Sequence, residues 1–147
     1  MIYNLLIRQL DVEWFRFAER HGVHTTVYNA LGGGLLTGRH KREDAPEKGS
    51  RFDKNKMYVA RYWTDRNFAL VEQYGEVAAR AGMDLPTLAH AWLAGRPGVD
   101  SILLGPATVA QLDAALDAVD RELAKETNAE IERIHLQAMG TDARYAR

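Results

Sequence analysis

Short β-type segments alternate with helical segments along this chain, and that alternation limits the folds it can adopt. The β-type segments are residues 2–7, 23–28 and 99–104, and stretches with apolar residues three and four positions apart lie between and after them. Strands that alternate with helices usually pair in parallel through helical crossovers. We therefore predict an α/β fold with about three parallel strands and flanking helices.

The predicted helices begin at recognisable capping residues. Apolar spacing indicates a first helix over residues 11–21, and the later helices each follow a residue whose side chain can accept from the first free N–H groups. These predicted N-caps are Thr64, Asp84, Thr108 with Gln111 as a capping box, and Thr127 with Glu130 as a second capping box.

The chain offers no clear point at which to divide it. Residues 39–60 are polar and basic and are predicted to form a long loop, which is uncommon unless it is functional or mobile. We predict a single domain over residues 1–140 and a flexible tail over 141–147.

Composition excludes several classes of protein. The 19 basic and 20 acidic residues give a net charge of −1, without the basic excess of a nucleic-acid binder. The chain has no cysteine, and its five histidines form no metal-binding pattern, so no metal site is predicted. With no apolar run long enough to span a bilayer and no signal-peptide pattern, we expect a cytoplasmic protein without a membrane partner.

Two of the β-type segments end in glycine. Residues 31–38 form a glycine-rich turn, and Gly105 follows the last segment just before a capped helix. Backbone N–H groups and a helix dipole converge at such turns and favour an anion, while Arg39 and Arg51 could add phosphate contacts. The alternative is that the glycines serve tight turns and the arginines are solvated.

Four stretches resemble segments of the aldo-keto reductases, in the same order and at similar spacing. They are Tyr3–Arg8 (YNLLIR), Tyr28–Gly38 (YNALGGGLLTG), Leu88–Trp92 (LAHAW), and Ser101–Gly105 (SILLG) followed by Gln111 and Leu112. The resemblance is to the branch with bacterial general-stress reductases and potassium-channel β subunits, and it covers residues 1 to about 135. It implies that the chain forms the C-terminal portion of a TIM barrel, that is, a partial (β/α)8 barrel. It also implies a role in the NADP(H)-linked reduction of an aldehyde or ketone.

The resemblance also implies which residues would hold the nicotinamide dinucleotide. Tyr28 takes the place that stacks on the nicotinamide. The pyrophosphate side would be lined by Asn29, Ala30, Leu31, Gly32 and Gly33. The phosphates would be met by Arg39 and Arg51, and the adenosine 2′-phosphate by Gly105, Ala107 and Gln111.

The sequence departs from the family pattern in two ways. Ala107 stands where the family has a phosphate-binding serine, and Pro106 lacks an N–H, so we expect NADP(H) to be held weakly. The family's catalytic Asp, Tyr, Lys and His belong to earlier strands, and no residue of this sequence takes their place. The catalytic residues therefore stay unassigned, and we expect no reductase activity from this chain alone.

Three functions remain open. The first is an oxidoreductase of the aldo-keto reductase type. The second is a non-catalytic nucleotide-binding module that self-associates, and the third is an enzyme of another class, such as a hydrolase with Ser101 or a threonine as an unusual nucleophile. Three parallel strands leave their edges uncovered, so we predict a homodimer in every case.

Overall fold

The structure is a computed structural model that describes residues 1–139, so the predicted tail at 141–147 lies outside the described residues. Helices predominate among these residues, and two short strands form the sheet. In chain order the elements are a 3-10 turn Gln9–Asp11, α1 Trp14–His21, β1 Thr26–Tyr28, a 3-10 segment Gly32–Thr37, α2 Lys56–Tyr62, α3 Asp65–Arg80, α4 Leu85–Ala94, β2 Ser101–Leu103, α5 Val109–Val119 and α6 Lys125–Met139.

The two strands pair in parallel, as predicted for this α/β fold. Thr26 pairs with Ser101 and Tyr28 with Leu103, so both strands end at the same edge of the sheet. Val27 is fully buried on one face, whereas Tyr28 and Leu103 are 42% and 65% exposed on the other. One face of the sheet therefore packs on the core and the other is open.

The prediction of a third strand over residues 2–7 is wrong for most of its length. Ile2 forms a single parallel bridge with Tyr28, and the chain then reverses so that Asn4 and Ile7 pair with each other. The Asn4 side chain causes this reversal, because its Oδ1 accepts from the N–H groups of Leu6 and Ile7 at 3.0 Å each.

Three of the predicted helix caps are confirmed. Thr64 accepts from Asn67 N–H at 3.2 Å, Asp84 from Thr87 N–H at 2.8 Å, and Thr108 from Gln111 N–H at 3.2 Å. The Gln111 side chain accepts from the N–H of Ala107 rather than that of Thr108, which shifts the predicted capping box by one residue.

The capping box at Thr127 and Glu130 is wrong. The last helix already begins at Lys125, which places Thr127 inside its first turn rather than at its cap. Asn128 N–H donates to the Ala124 carbonyl at 3.1 Å. The helix therefore starts two residues before the predicted box.

The predicted loop over 39–60 contains part of a helix. Asn55 caps α2 by accepting from Tyr58 N–H at 3.2 Å, and α2 continues to the fully buried Tyr62. Burial of this tyrosine supplies the tertiary packing that a seven-residue helix needs to persist.

A partly buried ionic cluster ties the N-terminal segment to the helices. Arg8 bonds Asp11 at 2.7 Å and Glu132 at 2.8 Å, and Arg96 bonds the same two carboxylates at 2.9 and 3.2 Å. The guanidinium carbons of Arg8 and Arg96 lie 5.0 and 5.2 Å from the ring centroid of the buried Trp92. This cluster links the segment before α1, the turn after α4, and α6.

Within residues 1–139, none of the helices combines the length and apolarity needed to cross a bilayer.

Candidate functional site

The carboxyl ends of β1 and β2 bring two predicted site regions together. Tyr28 ends β1 with its side chain exposed, and Gly105 lies two residues beyond β2 in the neighbouring position. Arg51, in the segment between the glycine turn and α2, reaches this edge. Its Nη2 lies 3.8 Å from the point that a Cβ on Gly105 would occupy. Tyr28, Arg51 and Gly105 therefore share one edge of the sheet.

The glycine turn that follows β1 has the backbone form that its sequence requires. Gly32, Gly33 and Gly34 have φ angles of 58°, 71° and 106°, which glycine adopts readily and other residues rarely do. Asn29 shares this conformation with φ 67°, and its Oδ1 accepts from Gly33 N–H at 2.7 Å. The Asn29 side chain is thus already engaged in holding the turn.

Most of the residues predicted to line the pyrophosphate are covered. Ala30, Gly32 and Gly33 are buried and Leu31 is half-buried. A Cβ on Gly33 would lie 2.7 Å from Cδ1 of Tyr58, because the Tyr58 ring rests on this glycine. In this arrangement α2 covers part of the turn.

The two predicted phosphate-binding arginines differ in their surroundings. Arg39 is exposed, with its Nε 3.8 Å from a Glu47 carboxylate oxygen and 3.4 Å from Nε2 of His40. Burial and the charge of Arg39 lower the pKa of His40, whose ring packs against Phe52. Arg51 is exposed and has no ion pair within residues 1–139, so its charge is available to a ligand.

The turn after β2 leads directly into α5. Gly105 and Ala107 are exposed, and Ala107 N–H donates to Gln111 Oε1 at 2.8 Å. Gln111 therefore serves the helix start, and its side-chain oxygen already has a partner. In the first turn of α5 the Gln111 N–H is bonded by Thr108, whereas the N–H groups of Val109 and Ala110 have no partner within the helix and, together with Arg51, offer positive potential at this edge.

A second polar cluster lies at the opposite end of the strands. Ser101 Oγ is 3.0 Å from His24 Nε2 and 2.8 Å from Thr26 Oγ1, as a nucleophile and its base would be. The neighbouring amides are already used, since Ser101 N–H donates to the Thr25 carbonyl and Thr25 N–H to Asp100. These two amides are therefore not available to a developing oxyanion.

The described residues fit NADP(H) unevenly. At the edge predicted to hold the adenosine 2′-phosphate, Arg51, Gly105 and the start of α5 are exposed and positive, which suits a phosphate. At the pyrophosphate end, the ring of Tyr58 and the internal bonds of Asn29 occupy the surface of the turn. Within residues 1–139, no group of three or more His, Asp or Glu residues is placed to hold a metal ion.

Sequence reasoning missed Tyr58 and Tyr62 as parts of this site. Tyr58 lies in the predicted long loop and Tyr62 just after it, yet Tyr58 covers Gly33 and Tyr62 accepts from Asn29 Nδ2 at 2.6 Å. Their four-residue spacing, which follows the capping Asn55, was the available sign of a helix with one packed face.

Comparison with known proteins agrees with this arrangement of strands and turns. The model of the Aldo/keto reductase family matches residues 1–135. Protein tas of Escherichia coli is 33% identical over 135 residues, which are 90% of this chain and 38% of that protein. Human aldo-keto reductase family 7 member A3 is 35% identical over 134 residues, covering 81% of this chain and 40% of that protein.

More distant relatives extend the comparison. A probable voltage-gated potassium channel subunit beta of Arabidopsis thaliana is 30% identical over 121 residues, covering 80% of this chain and 37% of that protein. The solved glycerol dehydrogenase AKR11B4 of Gluconobacter oxydans superimposes with a TM-score of 0.75 at 20% identity, covering 99% of this chain and 44% of that one. The chain spans about two fifths of the length of these relatives, and the partial-barrel fold is confirmed. The chain belongs to the aldo/keto reductase family.

Proposed function

We propose that this chain forms the NADP(H)-phosphate-binding part of an oxidoreductase that reduces aldehydes or ketones. The observation that carries this proposal is the meeting of Arg51 with Gly105 at the edge where β1 and β2 both end. Ligands of parallel α/β folds bind at the carboxyl ends of strands, and phosphates favour glycine turns that precede a helix. Membership of the aldo/keto reductase family supports the reaction class.

Each part of the dinucleotide has a proposed partner. Arg51 and the turn from Gly105 to Ala107 would hold the adenosine 2′-phosphate, with Gln111 supporting the turn. Asn29 to Gly33 would border the pyrophosphate, and Arg39 would add charge from the long connection. Tyr28, exposed at the end of β1, would stack on the nicotinamide. When bound, NADPH supplies the hydride that reduces a carbonyl carbon.

We further propose weak binding and no carbonyl reduction by this chain alone. Ala107 offers no hydroxyl, its N–H already bonds Gln111, and Pro106 has no N–H, so the phosphate turn has few free donors. Reduction also needs an acid that donates a proton to the carbonyl oxygen, and no described residue at this edge is assigned that role. A cytoplasmic location remains a prediction from the sequence.

A second candidate function is a self-associating, non-catalytic module. The open face of the sheet and α5 expose apolar side chains: Leu103 is 65% exposed, Val109 73%, Leu112 36% and Leu116 48%. Exposed strands and apolar patches favour association, so a homodimer would bury them. The third candidate, a hydrolase at Ser101, has less support because the nearby amides already have partners.

A cofactor titration tests the first proposal. We expect the fluorescence of NADPH to change on addition of the chain, with a dissociation constant in the upper micromolar range or weaker, and NADH to bind less tightly. Adding an aldehyde to the complex should leave the absorbance of the reduced nicotinamide unchanged. Absence of any NADPH binding would refute the nucleotide site, whereas steady aldehyde-dependent oxidation would refute the proposed inactivity.

A further inference from the structure

Three segments that lie far apart in the sequence meet at the hydroxyl of Tyr62. Asn29 donates from Nδ2 to this hydroxyl at 2.6 Å, and Asn4 approaches it with its own Nδ2 at 3.5 Å. The Tyr62 side chain is fully buried, and burial raises the pKa of its hydroxyl, which stays neutral at physiological pH. The neutral Tyr62 oxygen thus accepts from Asn29, which directly follows β1, and from Asn4 in the N-terminal segment.

Asn29 links the Tyr62 hydroxyl to the glycine turn through its own hydrogen bonds. Its φ of 67° is uncommon for a residue with a side chain, so the conformation needs support from its surroundings. Asn4 Nδ2 donates to the Asn29 carbonyl at 2.9 Å, while Asn29 Oδ1 accepts from Gly33 N–H at 2.7 Å. Every polar atom of the Asn29 side chain is therefore used to fix the backbone between β1 and Gly33.

The same tyrosine is held firmly at its other end. Asn67 in α3 donates from Nδ2 to the Tyr62 carbonyl at 3.0 Å. A Cβ on Gly32 would lie 3.5 Å from Cε1 of Tyr62, so the ring also packs directly on the turn. The junction of α2 and α3 thus holds Tyr62 through a contact that does not involve the turn.

We propose that Tyr62 is a positioning residue that fixes, through Asn29, the turn on which the dinucleotide pyrophosphate would rest. This inference rests on the proposed function and deepens it. It divides the site into two independently held parts. The pyrophosphate turn depends on Tyr62, whereas the adenosine end at Gly105 is held by β2 and α5.

Two ligands that differ in reach can separate these parts. NADPH extends over both parts of the site, whereas adenosine 2′,5′-bisphosphate carries the 2′-phosphate but lacks the nicotinamide half. In Tyr62→Phe, Asn29 Nδ2 loses its acceptor while the ring remains. We expect the dissociation constant for NADPH to rise about fivefold to tenfold, as for one lost hydrogen bond, and that for the bisphosphate to stay unchanged.

A matched control is available in Tyr74. This tyrosine is equally buried, and its hydroxyl donates to the Leu5 carbonyl at 3.4 Å rather than bonding a residue of the glycine turn. Tyr74→Phe should leave both dissociation constants unchanged. Asn29→Ser removes this hydrogen bond from its other side, together with the bond from Gly33 N–H, and it should give an NADPH-selective loss at least as large if Tyr62→Phe does not fold.

A ligand-free readout makes the result independent of cofactor affinity. The glycine turn is followed directly by exposed basic residues at Arg39 and Lys41, so trypsin cleavage there reports how firmly the turn is held. We expect Tyr62→Phe to be cleaved there several times faster than Tyr74→Phe, under conditions in which both variants are folded.

Each outcome bears on a separate statement. Equal losses for the two ligands, no loss for NADPH, or unchanged cleavage in Tyr62→Phe would overturn the positioning role. If the unaltered chain binds neither ligand, the proposed function itself fails and the positioning role falls with it. Selective loss of NADPH affinity together with faster cleavage supports the inference.

Discussion

Replacing Asp11 with asparagine should lower the stability of this chain markedly, because three donors converge on its carboxylate. Asp11 accepts from Tyr3 Oη at 2.5 Å, from Arg8 Nε at 2.7 Å and from Arg96 Nη2 at 2.9 Å. The Arg8 side chain is 3% exposed, and its Nη1 already lacks a partner within residues 1–139. Asp11→Asn therefore leaves a buried guanidinium with less compensating charge.

The size of the effect follows from these contacts. Removing one partner of a buried ion pair costs about 3–5 kcal/mol. Glu132 still faces both arginines, and the Asp11 and Arg96 side chains are 21% and 23% exposed, so the lower end of that range applies. We expect the free energy of unfolding to fall by about 3 kcal/mol, which corresponds to a Tm about 6–12 °C lower for a chain of this size.

The effect should also depend on pH in a defined direction. Burial alone would raise the pKa of Asp11, but the charges of Arg8 and Arg96 and the Tyr3 hydrogen bond outweigh it and lower that pKa. The carboxylate therefore contributes fully above its usual pKa of about 3.9, and its contribution is lost as the pH falls through the folded value. The stability difference between the unaltered chain and Asp11→Asn should narrow below about pH 4.

Urea denaturation followed by circular dichroism measures this difference. Glu76→Gln is the matched control, because Glu76 is 71% exposed and lies 3.8 Å from Arg80, where loss of the charge costs at most about 0.5 kcal/mol. Equal midpoints for Asp11→Asn and Glu76→Gln would refute the view that the ionic cluster around Arg8 stabilises the fold.

Three further predictions concern charge and association. Burial and the charge of Arg8 lower the pKa of His135 to about 4, so the unaltered chain should lose stability as the pH falls from about 6.5 to 4. His135→Gln should remove about 1 kcal/mol of that loss, after allowance for the partial exposure of the ring. Urea midpoints measured across this pH range test the difference. Arg39→Ala and Arg51→Ala should each raise the dissociation constant for NADPH about threefold to tenfold, more at low salt, and unchanged affinity in both would contradict the phosphate assignment. Sedimentation at micromolar concentration should give a dimer that Leu112→Asp and Leu116→Asp weaken, whereas a compact monomer would rule out self-association through the exposed apolar side chains.

Local chemistry explains which elements could be predicted from the sequence. The caps at Thr64, Asp84 and Thr108 depend on side chains that bond amides three residues away, so the sequence suffices to find them. The first strand was mispredicted because an apolar run favours a strand, whereas Asn4 bonds two nearby amides and reverses the chain. Asn4 was the local sign of a turn, but in the prediction its β-branched and apolar neighbours counted for more.

The cover over the glycine turn was harder to predict. Helix α2 lies in a polar, basic stretch, and it persists because Tyr62 is buried against residues more than 30 positions away, including Asn29. Contacts of that separation depend on how the strands are placed, which a pattern of residue types does not specify. The common edge of Tyr28 and Gly105 followed from parallel pairing, but the reach of Arg51 to that edge came from the structure.

The central claim is that the charged end of a nicotinamide dinucleotide binds where β1 and β2 end. Amide chemical shifts of the isotope-labelled chain, followed during titration with NADPH, test this claim most directly. We predict that the shifted amides cluster at Gly33, Gly105 and Ala107 and leave Thr26 and Ser101, at the opposite end of the strands, unchanged. Shifts centred on His24 and Ser101, or no shifts at saturating NADPH, would contradict it.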